Sequence, residues 1–101
     1  MSSALEFISA NGYDRLSTEE RAAMESYCHR YRHFLDQAKT EREAVSETVA
    51  KAQAKGFRPY EPGMKLSPGD KIYRVNHGKS VIFAVMGQRP VSEGCRIAVS
   101  H

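Results

Sequence analysis

The sequence predicts an α/β segment in which two helices precede a β-hairpin and a further strand. From residue 17 to residue 55, apolar residues recur every three or four positions, as they do along one face of a helix. An apolar run from Val81 to Met86 follows the reversal signal His77-Gly78. The final stretch, Cys95 to His101, alternates apolar and polar residues in the manner of a strand.

Residues 1–16 are expected to form an irregular lead-in, and residues 17–101 the amino-terminal portion of an α/β domain that is incomplete in this chain. The first helix should begin at Ser17, because Ser17-Thr18-Glu19-Glu20 is a capping box in which the Ser17 hydroxyl accepts a hydrogen bond from the Glu20 backbone. This helix carries one apolar stripe, which we expect to face a core. The stripe comprises Met24, Tyr27, Cys28, Tyr31, Phe34, Leu35 and Ala38.

A second capping box, at Thr40 to Glu43, predicts a second helix, and Gly56 is the residue expected to end it. The proline-rich stretch Arg58–Gly69 is expected to be an ordered loop. Its successor, Lys71–Asn76, is expected to be the first strand of the hairpin.

The second strand of the hairpin is expected within Lys79–Gly87. Its run Val81 to Met86 is apolar on both faces, which is typical of a central strand covered on both sides. A loop, Gln88–Gly94, should then lead into the last strand at Cys95.

The composition does not argue for a nucleic-acid or membrane partner. The 101 residues suffice for one small domain, and the 15 basic residues are interspersed with 12 acidic ones, giving a net charge of +3. We therefore expect no nucleic-acid partner. The longest apolar run is too short to span a membrane, and the two cysteines form no secreted-type framework, so a cytoplasmic location is predicted.

Among the candidate functional residues, His101 has the position most typical of a ligand site. It shares the parity of Ile97 and Val99 at the carboxyl end of a predicted strand, where ligand sites of α/β sheets collect. A single histidine cannot form a metal site by itself.

Other candidate groups are better explained by structure. His29 and His33 are four residues apart, but Arg30 stands where a metalloprotease helix has glutamate, so a helix surface is favoured. The basic-aromatic pattern around Tyr31 is expected from an amphipathic helix. We interpret His77-Gly78-Lys79 as a hairpin turn, and Cys28 and Cys95 as small packing residues.

Taken in order, five segments resemble the aspartyl aminopeptidase family, which also contains vacuolar aminopeptidase I, and its bacterial members in particular. The resemblance extends from about residue 12 to residue 101. In the family, the last of these segments ends in a histidine that starts a His-x-Asp-Ser-Pro motif, and here that histidine is His101. The segments are Phe34–Val45, Lys55–Phe57, Gly69–Tyr73, Asn76–Lys79 and Cys95–His101.

This resemblance implies a metallo-aminopeptidase, a hydrolase that removes amino-terminal residues from peptides with two bridged zinc ions. It implies that the chain is the amino-terminal part of a three-layer, zinc-peptidase-like α/β catalytic domain, ending at its first metal ligand, His101. Family members assemble into homo-oligomers, typically dodecamers. Their other ligands and the catalytic glutamate follow that motif, so we expect no catalytic residue within this chain and no activity from it alone.

Two further functions stay open. A small α/β protein-interaction module without catalytic activity would leave an apolar helix face unsatisfied. A nucleic-acid binder would show affinity that falls steeply with salt, but several acidic residues dilute the basic helix surface. We also expect the isolated chain to associate, because unpaired strand edges favour association.

Overall fold

The computed structural model describes residues 4–101 and confirms the predicted fold class, with two helices followed by a three-stranded sheet. Short 3₁₀ turns precede the first helix and follow the last strand. The elements are α1 (Thr18–Gln37), α2 (Glu41–Ala54), β1 (Arg58–Pro59), β2 (Lys71–Asn76) and β3 (Ser80–Val85), with the 3₁₀ turns at Tyr13–Arg15 and Val91–Glu93.

The chain divides into two compact units, one ending at Asp36 and the other comprising Gln37–His101. The predicted lead-in, residues 1–16, contains the first 3₁₀ turn, and its residues 1–3 lie outside the described part of the chain. The division at residue 16 remains a prediction.

Helix α1 begins with the predicted capping box. The Ser17 Oγ accepts a hydrogen bond from the Glu20 backbone at 3.1 Å, and the Glu20 carboxylate accepts one from the Ser17 backbone at 2.8 Å. The Arg21 guanidinium lies 4.6 Å from the centre of the Tyr13 ring, which attaches the preceding turn to the helix. The expected core stripe is not formed in this chain, because no residue of α1 is buried.

Both ends of α2 are closed as predicted. The Thr40 hydroxyl accepts from the Glu43 backbone at 3.2 Å. At the other end, the Gly56 amide donates to Gln53 and the Phe57 amide to Ala52, each at 3.0 Å. These two bonds form a Schellman motif, which requires the positive φ of +88° at Gly56.

The sheet has the order β1-β2-β3, with β2 and β3 antiparallel and β1 parallel to β2. The hairpin turn is confirmed: the Lys79 amide donates to Asn76 at 3.0 Å, and both His77 and Gly78 have positive φ. Strand β1 falls within the region expected to be only a loop. It exists because Arg58 and Pro59 run beside β2, and the next amide, Tyr60, donates to Tyr73 at 2.8 Å.

A small core lies where α2 packs against the sheet. The centre of the Phe83 ring lies 5.6 Å from that of Phe57, in an edge-to-face arrangement, and 6.1 Å from that of Tyr73. The Gln53 side-chain amide donates a hydrogen bond to the Tyr73 hydroxyl at 2.8 Å. Of the buried apolar residues, Val45, Ala52 and Tyr73 belong to this core, whereas Ile72 lies on the other face of the sheet.

Strand β3 was expected to be central and covered on both sides, but in the described chain it is one of the two edge strands of the sheet. The side chain of Ile82 is 74% exposed, and Val85 is also exposed. Pairing places Ile82 opposite Arg74 and Ala84 opposite Ile72, on the face away from the Tyr73–Phe83 contact. On that face Ile82 is exposed while Ile72 is buried, so the apolar pattern of β3 is satisfied mainly on the side of the Tyr73–Phe83 contact.

The last predicted strand, Cys95–His101, is not a strand in this structure. All seven residues are exposed, and in the described chain no backbone hydrogen bond joins them to another segment. A strand is defined by its ladder partner, so alternation alone could not produce one here. The third strand of the sheet is β1 instead.

Candidate metal centre

His101 lies at the exposed end of the irregular segment that follows the second 3₁₀ turn. Within residues 4–101, no group of three or more histidine, cysteine, aspartate or glutamate side chains is placed to hold a metal ion. Zinc in proteins needs three or four such ligands. His101 therefore offers one imidazole donor, and the described chain does not complete a site around it.

His29 and His33 lie beside each other on α1 as surface residues. Together with Arg32 and Asp36 they line a shallow open hollow of about 230 Å³. Asp36 adds a carboxylate to the two imidazoles, but in the described part of the chain these three side chains do not form a group placed to hold a metal ion. The structure therefore agrees with the helix-surface interpretation of this pair.

The basic-aromatic pattern on α1 makes local helix contacts. Arg30 donates to the Ser26 hydroxyl at 2.8 Å, and its guanidinium lies 5.9 Å from the Tyr27 ring centre. Tyr31 is 52% exposed, so its expected role as a core residue is wrong in this chain. Tyr27 is exposed as well, so these two tyrosines contribute apolar surface that is not buried.

The turn His77-Gly78-Lys79 is tied to the start of α2. Arg42 donates to the His77 carbonyl at 3.2 Å, and Lys79 pairs with Glu41 at 3.7 Å. These two surface contacts join the hairpin turn to the first turn of α2. Sequence reasoning missed the contact between Arg42 and His77 because it joins residues far apart in the chain.

The two cysteines are free and exposed. The expectation that Cys28 and Cys95 pack as small apolar residues is therefore wrong in this chain. Their positions follow those of their segments, since α1 buries no residue and residues 95–101 pair with no strand.

A second hollow, of about 220 Å³, lies on the open face of the sheet. The sequence did not identify this hollow as a site. The signal that could have indicated it is the apolar character of β3 on both of its faces. Its lining is mainly apolar and brings together no pair of acidic groups. The lining residues are Tyr60, Ile72, Tyr73, Arg74, Ile82 and Ala84.

No helix within residues 4–101 has the length and apolar character needed to cross a membrane. No protein-family model matches the sequence. Individual proteins and one solved structure do match it over most of its length.

The curated relatives share one description. The chain is 38% identical over 91 residues to the "Probable M18 family aminopeptidase 1" of Borreliella afzelii (strain PKo), and 32% identical over 95 residues to the protein of that name from Clostridium acetobutylicum. Each alignment covers 90% of this chain but 20% of the relative. The chain thus spans about a fifth of the length of these relatives.

The fold matches that of a solved relative. The crystal structure of aminopeptidase I from Borrelia burgdorferi B31 is similar over 84% of this chain and 21% of that chain, with a TM-score of 0.79 and 35% sequence identity. Sequence and fold therefore point to the same proteins.

Proposed function

We propose, from the premise that this chain is a fragment of an M18 family aminopeptidase, that it forms part of a metallo-aminopeptidase that removes amino-terminal residues from peptides. The observation that carries the proposal is 38% identity over 91 residues to an aminopeptidase, together with a shared fold. The proposal includes a two-zinc site, peptide substrates, a cytoplasmic location and a homo-oligomer.

Within this proposal, His101 is a ligand of one zinc ion. Imidazole is a common zinc ligand, and the exposed position of His101 leaves its ring nitrogens accessible. A zinc pair held there would supply Lewis acidity and would lower the pKa of a bound water. The described chain contributes one ligand only, so no catalytic step follows from its own residues, and we propose that the chain alone is inactive.

The first test is to read the gene beyond the codon for His101. We expect Asp-Ser-Pro to complete the motif and further histidine, aspartate and glutamate residues to follow. A stop codon directly after His101 would argue against the peptidase and favour an interaction module, for which the exposed apolar face of α1 is the supporting observation.

The second test compares the 101-residue chain with the longer gene product in an assay of amino-terminal residue release, using acidic and neutral peptides with added zinc. We expect activity from the longer product and none from the chain. In the longer product, His101→Gln should lower bound zinc and activity by about a hundredfold, whereas His33→Gln, on the surface of α1, should change neither. A longer product that cleaves no peptide would refute the function, and an active 101-residue chain would refute its proposed inactivity.

A further inference from the structure

The dipeptide Asn11-Gly12 stands directly before the 3₁₀ turn Tyr13–Arg15. Asparagine is chemically labile when glycine follows it, because the glycine nitrogen can attack the asparagine side chain and no Cβ hinders its approach. Both residues are exposed, and a Cβ added at Gly12 would meet no atom within 4 Å. The space around this peptide bond is therefore open.

The Asn11 side chain is held alongside the Gly12 backbone. Its Oδ1 accepts a hydrogen bond from the Tyr13 amide at 2.9 Å. This bond closes a short ring of atoms that contains both the Asn11 Cγ and the Gly12 nitrogen, so the two atoms that would react stay near each other. The same hydrogen bond stabilises the negative charge that develops on Oδ1 when the Cγ is attacked.

The hydrogen bonds of the turn leave the Gly12 nitrogen free. The Asn11 carbonyl accepts from the Asp14 amide at 3.1 Å, and the Gly12 carbonyl accepts from the Arg15 amide at 3.2 Å. The Gly12 amide itself donates to no acceptor within residues 4–101. It can therefore lose its proton to hydroxide without breaking a hydrogen bond of the fold.

We propose that Asn11 is a site of spontaneous deamidation. The deprotonated Gly12 nitrogen attacks the Asn11 Cγ, and Nδ2 takes up a proton from water and leaves as ammonia, which closes a five-membered succinimide. Water then opens this ring. Hydrolysis at Cγ gives aspartate, and hydrolysis at the backbone carbonyl carbon gives isoaspartate, in which the main chain continues through the former side chain.

The modification would change how the lead-in is attached to α1. Each product carries one more negative charge than asparagine, and isoaspartate also lengthens the main chain by one carbon. The hydrogen bond to the Tyr13 amide would then lose its present geometry. Tyr13 is the residue that Arg21 contacts, with a hydrogen bond to its carbonyl at 3.3 Å and the guanidinium 4.6 Å from its ring centre. Isoaspartate should therefore loosen the turn from the helix.

The second asparagine of the chain, Asn76, provides an internal reference. It is exposed as well, but the residue after it is His77, whose side chain hinders attack by its own nitrogen. Asn76 also pairs with Ser80 in the β2–β3 ladder, and its carbonyl accepts from the Lys79 amide at 3.0 Å. Exposure does not distinguish the two asparagines, so a difference in rate would come from the following residue and the local geometry.

The experiment is incubation of the 101-residue chain in mildly alkaline buffer, with peptide mapping by mass spectrometry at intervals over several weeks. We expect a mass increase of about 1 Da at Asn11, with both aspartate and isoaspartate among the products. It should accumulate more than about tenfold faster than at Asn76. The rate should rise with hydroxide concentration, because the attacking nitrogen must lose its proton.

Two variants test the nucleophile. Gly12 has φ −58° and ψ −37°, which alanine adopts without strain, so Gly12→Ala should keep the turn. It should slow deamidation of Asn11 by about tenfold, because the added Cβ hinders the attack. Gly87→Ala is the matched control: it also adds a Cβ in open space, and should leave the rate within about twofold.

Incubation in urea tests the part played by the fold. The rate at Asn11 in the native chain should be no more than about threefold below that in the unfolded chain, since the turn leaves the reacting atoms accessible. Asn76 should be slowed more by folding, because the hairpin restrains it.

The inference would be overturned by any of three results. Deamidation at Asn11 no faster than at Asn76 would refute the site. Products that contain aspartate without isoaspartate would exclude attack by the Gly12 nitrogen. Strong protection of Asn11 in the native chain relative to urea would show that the turn shields the residue.

Discussion

At the scale of single residues, two adjacent positive φ angles shape the hairpin between β2 and β3. His77 has a φ of 52° and Gly78 one of 69°, the combination that a type I′ turn requires. Glycine adopts this conformation without strain, and histidine adopts it at a modest cost. The Arg42 guanidinium lies over the turn and would be 3.1 Å from a Cβ added at Gly78.

We expect Gly78→Ala to lower the free energy of unfolding by about 1–2 kcal/mol, since a Cβ is strained at this φ. Urea denaturation at a concentration where the chain is monomeric measures this change. His77→Asn is the matched control and should keep or slightly raise the stability, because asparagine tolerates positive φ. Equal stability of Gly78→Ala and the unmodified chain would contradict the argument.

At the scale of elements, α2 is the better supported helix. Its amino terminus is capped by Thr40, its carboxyl terminus is closed by Gly56, and its residues Val45 and Ala52 are buried. Helix α1 has an equally good cap at Ser17 but no buried residue. Capping determines where a helix begins and ends, whereas burial determines how much it contributes to stability.

Replacing the α2 cap, Thr40→Ala, should lower the free energy of unfolding by about 1 kcal/mol, because the Glu43 amide loses its side-chain acceptor. The exposed Ser46, in the middle of the same helix, provides the control. Ser46→Ala removes a hydroxyl that caps nothing and should be neutral or slightly stabilising, since alanine has the higher helix propensity. Similar losses for both variants would show that the cap is not the cause.

At the scale of the whole molecule, α2 packs against one face of the sheet, and the other face is exposed mainly along β3. The paired residues Ile72 and Ala84 lie on this second face with Ile82, yet Ile72 is only 9% exposed while Ile82 is 74% exposed. The difference arises because Ile72 is on the central strand and Ile82 on the edge strand. The exposed apolar surface at β3 is consistent with the expected tendency to associate.

We therefore expect Ile82→Thr to change the free energy of unfolding of the chain by no more than about 0.5 kcal/mol, while Ile72→Thr lowers it by about 2 kcal/mol or more. Chemical denaturation of both variants measures the contrast. If other parts of a longer gene product cover this face, Ile82→Thr should lower the free energy of unfolding more in that product than in the 101-residue chain. Equal costs for the two substitutions in the short chain would refute this description of the sheet.

Local signals were sufficient for most element boundaries. The capping boxes at Ser17 and Thr40, the stop at Gly56 and the turn at His77-Gly78 each depend on neighbouring residues, and each was predicted correctly. The site was less accessible to such reasoning. His101 was identified as a ligand only through a family resemblance, because the donors that would complete a metal site are not among its neighbours in the described chain.

The sequence by itself determined where the helices and the hairpin form, since hydrogen bonds and φ preferences within a few residues specify them. Tertiary structure alone decided which apolar pattern found a partner. Residues 58–59 pair beside β2 without a strong strand signal, whereas the alternating residues 95–101 pair with nothing in the described chain. The physical reason is that strand formation and burial are properties of a residue's neighbours in space, which alternation and periodicity do not specify.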